Sequence, residues 1–243
     1  MRILITNDDG IESEGIKALA RVLVKKGHKV VMVAPDGNRS AFSHSLSIYK
    51  KLIFTPLENE EDYEKFSLSG TPADCVKFAC HYFADEPFDM VCSGINVGNN
   101  LGSDTCYSGT VSAGLEANFF SIKSIAFSNV KHTDCNFALN EKMIEKYFDL
   151  LVKAASPEYV LNVNMPNEEE KGIKSARLGL QRYSDEYQKL DDGTYMLTGY
   201  PVSSDTDVDS DVALSREGFI TVTPIIYDRT AYKALQKIKE IIV

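Results

Sequence analysis

The chain has 243 residues, 44% of them hydrophobic and 25% charged, with a formal net charge of −9. That length and balance suit one large α/β domain, or one domain with an appendage, built around a sizeable core. An acidic surface repels a phosphate backbone, so a nucleic-acid coat or reader is disfavoured.

The opening MRILITNDDG is apolar for too few residues to form a signal-peptide core, and no run approaches the length of a bilayer span. Five cysteines (Cys75, Cys80, Cys92, Cys106 and Cys135) are an odd count without a C-x-x-C pair. They read as buried reduced thiols in a cytoplasmic protein.

Residues 2–6 form a short apolar run that reads as a strand buried on both faces, ended by Asn-Asp-Asp-Gly. Ile16, Leu19, Ala20, Leu23 and Val24 recur at helical spacing, and Gly27 supplies the stop. A second buried strand at 28–34 completes a β-α-β unit, which implies a parallel sheet. Residues 46–57 and 63–69 break the rhythm and read as an inserted antiparallel hairpin, about 46–69, at the sheet edge. Thr71 as N-cap, Pro72 at N1 and Asp74 at N3 then open a helix running to about residue 83.

Residues 88–92 read as the next strand, emptying into a long Gly/Asn loop over 93–107. A helix at 110–119, a strand at 124–128, a helix at 140–155 and a strand at 159–164 follow. The repeating β-α pattern over 1–165 predicts an α/β fold, a Rossmann-like doubly wound and mostly parallel sheet. Residues 166–243 read as a strand-rich extension ending in a basic amphipathic helix over 229–241, expected to serve as an oligomerisation arm or a cover for the sheet.

Ligands of such a sheet bind outside the carboxyl ends of its strands. There the sequence places Asn7, Asp8 and Asp9; then Asp36, Asn38, Arg39, Ser40 and His44; then Ser93, Asn96, Asn99, Asn100 and Asp104. Asp8 and Asp9 read either as a carboxylate pair that holds a hard cation or as a cap with a solvated acidic turn. Ser40 and Asn96 add neutral oxygen donors on neighbouring loops, unless each is a local cap or turn residue. An oxygen-only donor set suits Mg²⁺, Mn²⁺ or Ca²⁺ rather than zinc. Ser108-Gly109-Thr110, at a helix start, reads as a phosphate cradle or as an ordinary N-cap. His44 is open between a structural hydrogen bond and catalysis. Asp205, Asp207, Asp209 and Asp211 lack the Gly and Glu of an EF-hand at the required positions, and read as a solvated acidic loop. No G-x-G-x-x-G follows the first strand and no G-x-S-x-G occurs, which argues against a dinucleotide cofactor and an α/β-hydrolase nucleophile.

Seven segments in order carry a resemblance: ILITNDDG at 3–10, VAPDGNRSAFSHSLS at 33–47, GTPADCVK at 70–77, SGINVGNNLG at 93–102, YSGTVSAGLEA at 107–117, LNVNMP at 161–166 and DSDVALSREGFITVTP at 209–224. Together they resemble the stationary-phase survival protein SurE family of metal-dependent nucleotidases. The resemblance implies one divalent ion, Mg²⁺ or Mn²⁺, on Asp8, Asp9, Ser40 and Asn96. It implies phosphate binding by Ser108 and Thr110, to which the cradle reading adds Gly109 and the first-strand loop adds Asn7. The implied activity is hydrolysis of nucleoside 5′- and 3′-monophosphates, and of short polyphosphate in some members. The implied assembly is a homodimer or homotetramer through C-terminal segments. Ser43, Ser103 and Gly37 depart from the family's usual residues, which bears on the substrate mouth.

The expected mechanism is in-line attack of water on phosphorus, with Asp8 or Asp9 orienting the water. The rival readings are a magnesium-binding phospho-receiver, an aspartyl-nucleophile phosphatase and a nucleotide-binding module without turnover. The loop after 88–92 offers Asn96 rather than a phosphorylatable Asp, and the acids at 8 and 9 are adjacent rather than spaced as D-x-D.

Overall fold

Short runs of branched aliphatic residues line the centre of this molecule because both of their faces are covered. A computed structural model describes residues 1–58, 62–205 and 207–242. In chain order the elements are β1 (Arg2–Thr6), α1 (Glu14–Lys25), β2 (Lys29–Pro35), β3 (Phe54–Pro56), β4 (Glu64–Leu68), α2 (Pro72–Tyr82) and β5 (Met90–Asn96). A 3-10 turn at Gly102–Cys106 leads to α3 (Gly109–Phe119), β6 (Lys123–Asn129), α4 (Phe137–Ala154) and β7 (Val160–Met165). The remainder holds β8 (Ile173–Ser175), β9 (Gln181–Tyr183), β10 (Glu186–Lys189), β11 (Tyr195–Thr198) and β12 (Pro201–Ser204). It ends with α5 (Asp211–Arg216), β13 (Ile220–Ile225) and α6 (Tyr232–Ile241).

One nine-stranded sheet runs in the order β3-β4-β2-β1-β5-β6-β7-β13-β8. From β4 through β7 neighbouring strands are parallel, while β3 and β13 run antiparallel to β4 and β7. Alternate residues of β1 face opposite layers, as the two-residue period of a strand requires. Ile3 and Ile5 pack with Ile16, Leu19 and Leu23 of α1 and with Ile144 and Phe148 of α4. Leu4 packs with Cys75, Val76 and Ala79 of α2 and with Ala113 and Ala117 of α3. The fold is thus α/β and doubly wound, as the β-α rhythm predicts. The strand order reverses between β1, which continues to β2, and β5 on its other side. That reversal opens a crevice at their carboxyl ends.

The helix at 72 starts as its sequence dictates. Thr71 accepts from the N–H of Asp74, the Asp74 carboxylate accepts from the N–H of Thr71, and Pro72 sits in the first turn.

The expected hairpin is present in its second half. β3 and β4 pair antiparallel at the sheet edge, but β4 also joins β2 in parallel. Residues 46–53 are not strand: Ser47 N–H is drawn onto the Asp74 carboxylate, and Tyr49 projects into solvent. β5 also runs on to Asn96, past the expected end at residue 92.

Beyond β7 the chain returns to the sheet as β13 and β8, and forms two ribbons, β9 with β12 and β10 with β11. α6 buries none of its residues.

All five cysteines are free. Only Cys75 and Cys92 are buried, and burial pushes both thiols well above their usual range. Cys80 and Cys135 are half-buried and Cys106 is exposed, short of the expectation for all five. Among the described residues no helix is long and apolar enough to cross a membrane.

Phe148 is fully buried between α4 and the sheet. Phe148→Ala is expected to lower the unfolding free energy by about 3–5 kcal/mol. Urea unfolding checks this as a lower midpoint with unchanged slope.

Candidate active site

β1 ends at Thr6, and the next three residues turn out of the sheet at the point where strand order reverses. Asn7 braces that turn: its Nδ2 donates to Gly10 O at 2.9 Å and to Ser13 Oγ at 2.7 Å. Its Oδ1 is buried without a hydrogen-bond partner.

Asp8 is 4% exposed and faces the N-terminus of α3. Thr110 Oγ1 donates to Asp8 Oδ1 at 2.5 Å. Burial raises the Asp8 pKa, opposed by the Thr110 hydroxyl and the N–H groups of Thr110 and Gly109. Gly109 is required by this approach, because a Cβ there would stand 2.9 Å from Asp8 Cβ and 3.0 Å from Pro72 Cγ. Asp9 is half-buried, and Val97 N–H donates to its Oδ2 at 3.1 Å. Burial, with the Asp8 charge second, pushes the Asp9 carboxyl up to about 6.

The other loops close over this pair. Arg39 N–H donates to Asp8 O at 2.6 Å, which lays the loop after β2 across the end of β1. Ser40 follows, exposed, with its N–H on Asn38 Oδ1 at 2.8 Å. Asn96 ends β5, and its Nδ2 donates to Gly98 O at 2.8 Å. That bond turns the amide nitrogen back onto its own loop and leaves Oδ1 as the free end. Ser108 caps α3 by accepting from Val111 N–H at 3.0 Å. The structure therefore brings the loops carrying Asn7, Asp8, Asp9, Ser40, Asn96, Ser108, Gly109 and Thr110 to one end of the sheet.

These residues fit a hard divalent cation. Neither Asp8 nor Asp9 is paired with a Lys, Arg or His among the described residues. Two adjacent carboxylates are thus drawn out of water with no positive side chain to offset them, beside the unpartnered Asn7 Oδ1. Asp8, Asp9, Ser40 and Asn96 all offer side-chain oxygen, the donor that Mg²⁺ and Mn²⁺ prefer. Among the described residues no three His, Cys, Asp or Glu side chains form a metal cluster. A set of two carboxylates completed by a hydroxyl and an amide oxygen is of a different kind.

The family model for survival protein SurE matches residues 3–185. The chain belongs to the SurE family. The resemblance carried by the seven ordered segments is thereby borne out. The 5′-nucleotidase SurE of Clostridium botulinum (strain ATCC 19397 / Type A) is 39% identical over 251 residues, covering 99% of both chains. The 5′-nucleotidase SurE of Gloeobacter violaceus is 40% identical, covering 95% of this chain and 91% of that one. The crystal structure of the SurE protein from Aquifex aeolicus matches with a TM-score of 0.84 at 33% identity, covering 99% of each chain.

Two residues that stabilise this SurE-family site were not picked out by sequence reasoning. Glu116, 2% exposed on α3, forms an ion pair with Lys77 Nζ at 2.7 Å and pairs with His44 Nε2 at 2.9 Å. His44 thus anchors the loop after β2 to α3. The available signal was a single acid in an otherwise small and apolar helix. Asp211 is fully buried, and its carboxylate accepts from the N–H groups of Gly102, Gly179 and Val212. The solvated-loop reading of 205–211 is corrected here: Asp205 and Asp207 do pair with Arg177, but Asp211 ties the C-terminal segment to the loop after β5. Its signal was Ser210 just ahead, which caps α5.

A carboxyl whose folded value is raised from 3.8 to about 6 binds its proton more tightly in the folded state than in the unfolded state. Stability contributed by Asp9 is therefore lost as pH climbs through that window and stays lost above it. In metal-free protein, Asp9→Asn is expected to gain stability relative to wild type between pH values near 4 and near 7. Paired urea titrations check this, and a pH-independent difference would contradict it.

Proposed function

We propose that the chain is a divalent-metal-dependent phosphomonoesterase that hydrolyses nucleoside monophosphates to nucleoside and phosphate. The observation that carries this reading is the unpaired Asp8–Asp9 carboxylate couple at the switch point of the sheet, set against the N-terminus of α3. Both curated relatives described above are named 5′-nucleotidases, which supports a 5′-phosphate as the first substrate to try. A 3′-phosphate and short polyphosphate are the further substrates proposed for the same site.

Asp8, Asp9, Ser40 and Asn96 are the residues that would hold Mg²⁺ or Mn²⁺. When bound, such an ion neutralises charge on the phosphoryl group and fixes phosphorus for in-line attack. Thr110 holds Asp8 in place with its hydroxyl, and Asn7 fixes the turn that presents both carboxylates. Ser108 Oγ and the first N–H groups of α3, those of Gly109 and Thr110, are the donors for the equatorial phosphate oxygens. Asp9, the more exposed of the pair, is the carboxylate that orients the attacking water.

The receiver reading is the weaker one, because β5 delivers the amide Asn96 where a receiver needs a phosphorylatable Asp. Residues 166–243 we assign as the oligomerisation arm of a homodimer or homotetramer, supported by α6, which buries none of its residues and leaves Ile238 and Ile241 exposed. Five free cysteines support a reducing, cytoplasmic setting.

Phosphate release from 5′- and 3′-nucleotides tests the reading. Turnover is expected to require added Mg²⁺ or Mn²⁺, to stop with EDTA, and to fall by about 10²-fold or more in Asp8→Asn. Release that is unchanged by the chelator or by the substitution would overturn it.

A further inference from the structure

The loop after β2 carries Ser40, and its path is not one that its own residues favour. Ala41 and Ser43 both lie in the left-handed region, with φ of 60° and 54°. Residues with a Cβ disfavour that region and keep it only where their surroundings fix them. Upstream, the loop is held by Arg39 N–H on Asp8 O. Downstream, Ser43 N–H donates to Tyr107 O at 3.0 Å, and Thr71 Oγ1 donates to Ser45 O at 2.7 Å. Between those two backbone contacts His44 reaches a buried charge: its Nε2 lies 2.9 Å from Glu116 Oε2.

Stability alone does not call for that charge. Burial by itself would raise the Glu116 carboxyl, yet the side chains of His44 and Lys77 hold it below its usual value. A hydrophobic side chain of similar volume packs a core as well as a buried ion pair, or better. Nor does the pair fill the core: His44 and Glu116 line a cavity of about 430 Å³ with Leu46, Phe119 and Tyr227. What the pair supplies is direction. A carboxylate fixed in a helix and bonded to one imidazole fixes where that ring, and the loop behind it, must stand. The same helix begins at Ser108, Gly109 and Thr110. The tether therefore sets the Ser40 loop and the phosphate end of the site on one rigid element.

We propose that His44 and Glu116 are positioning residues for the cation, holding the Ser40 hydroxyl where it completes the set of Asp8, Asp9 and Asn96. Lys77, with Nζ 2.7 Å from Glu116 Oε1, keeps the carboxylate charged and oriented. The inference rests on the metal reading of the site and adds to it the side chains that make Ser40 a donor. The role assigned to His44 is positional rather than acid–base.

The test is Mn²⁺ titration of metal-free wild type, Ser40→Ala, His44→Leu, His44→Gln and the double variant Ser40→Ala/His44→Leu, read by the free-ion paramagnetic resonance signal. His44→Leu keeps an apolar side chain against Phe119 and removes the donor, and His44→Gln restores one. The urea midpoint of each variant reports that it is folded. Removing a group that orients a metal ligand costs roughly 10- to 100-fold, so His44→Leu should bind Mn²⁺ about 10-fold or more weakly. His44→Gln should lose less. Because His44 acts through Ser40, adding His44→Leu to Ser40→Ala should change the affinity by less than about 2-fold. A ring that only stabilised the fold would move the urea midpoint and leave the Mn²⁺ affinity alone. Unchanged affinity in His44→Leu, an equal loss in His44→Gln, or losses that simply add in the double variant would overturn the positioning role and leave the metal reading standing. Unchanged affinity in Ser40→Ala would overturn it too, by removing Ser40 from the donor set. If wild type binds no Mn²⁺, the metal reading itself fails and the positioning role falls with it.

Discussion

Two carboxylates that follow one another at the end of a buried strand are a liability unless something positive comes to meet them. Two unit charges about 4 Å apart repel by roughly 4 kcal/mol at an effective dielectric near 20. The raised value of Asp9 registers that conflict after its burial, while Asp8 is raised by burial. Among the described residues no basic side chain pairs with either carboxylate. What the fold supplies instead is partial: the N-terminus of α3 with its Thr110 hydroxyl for Asp8, and a single N–H from Val97 for Asp9. On the proposed reading a cation offsets the remainder, and much of the surrounding structure serves to hold the two carboxylates in place.

Three loops must hold still for that purpose, and each is fastened by buried polar groups. The loop after β2 is clamped by Arg39 N–H on Asp8 O and by His44 on Glu116. Below the loop after β5, Asn100 N–H donates to Asn164 Oδ1, its Nδ2 donates to Ser128 Oγ, and its carbonyl accepts from Asn162 and Asn164. Asp211 then fixes Gly102 from the far side. A strand interior that carries two Asn, as β7 does at Asn162 and Asn164, would weaken an ordinary core. Here those side chains hold a loop whose backbone would otherwise be unsatisfied.

The sequence was legible where one local rule decided the outcome. The parallel core strands were readable because buried on both faces they are continuous apolar runs, and the α2 start because Thr71, Pro72 and Asp74 form a self-contained cap. That the loops after β1, β2 and β5 meet at one edge was readable because strand ends in a doubly wound sheet share it. Legibility failed where tertiary contacts overrode pattern. Residues 46–53 alternate like a strand but join the sheet in no strand, Ile53 alone exchanging hydrogen bonds with Ser69, and Asp74 takes the N–H of Ser47. The hydrogen bond from the Thr110 hydroxyl to Asp8, 102 residues away in sequence, likewise had no local signal. Asp211 was hidden among acids that do face solvent, since nothing local separates a buried carboxylate from an exposed one.

The most direct test of the account is Mn²⁺ binding to metal-free protein, read by the loss of the free-ion electron paramagnetic resonance signal. The account predicts one ion per chain, bound at least about tenfold more weakly in Asp9→Asn, equivalent to about 1.4 kcal/mol or more of lost attraction. Equal affinity in wild type and Asp9→Asn would contradict it, because the Asp8–Asp9 pair would then be satisfied by something other than a cation.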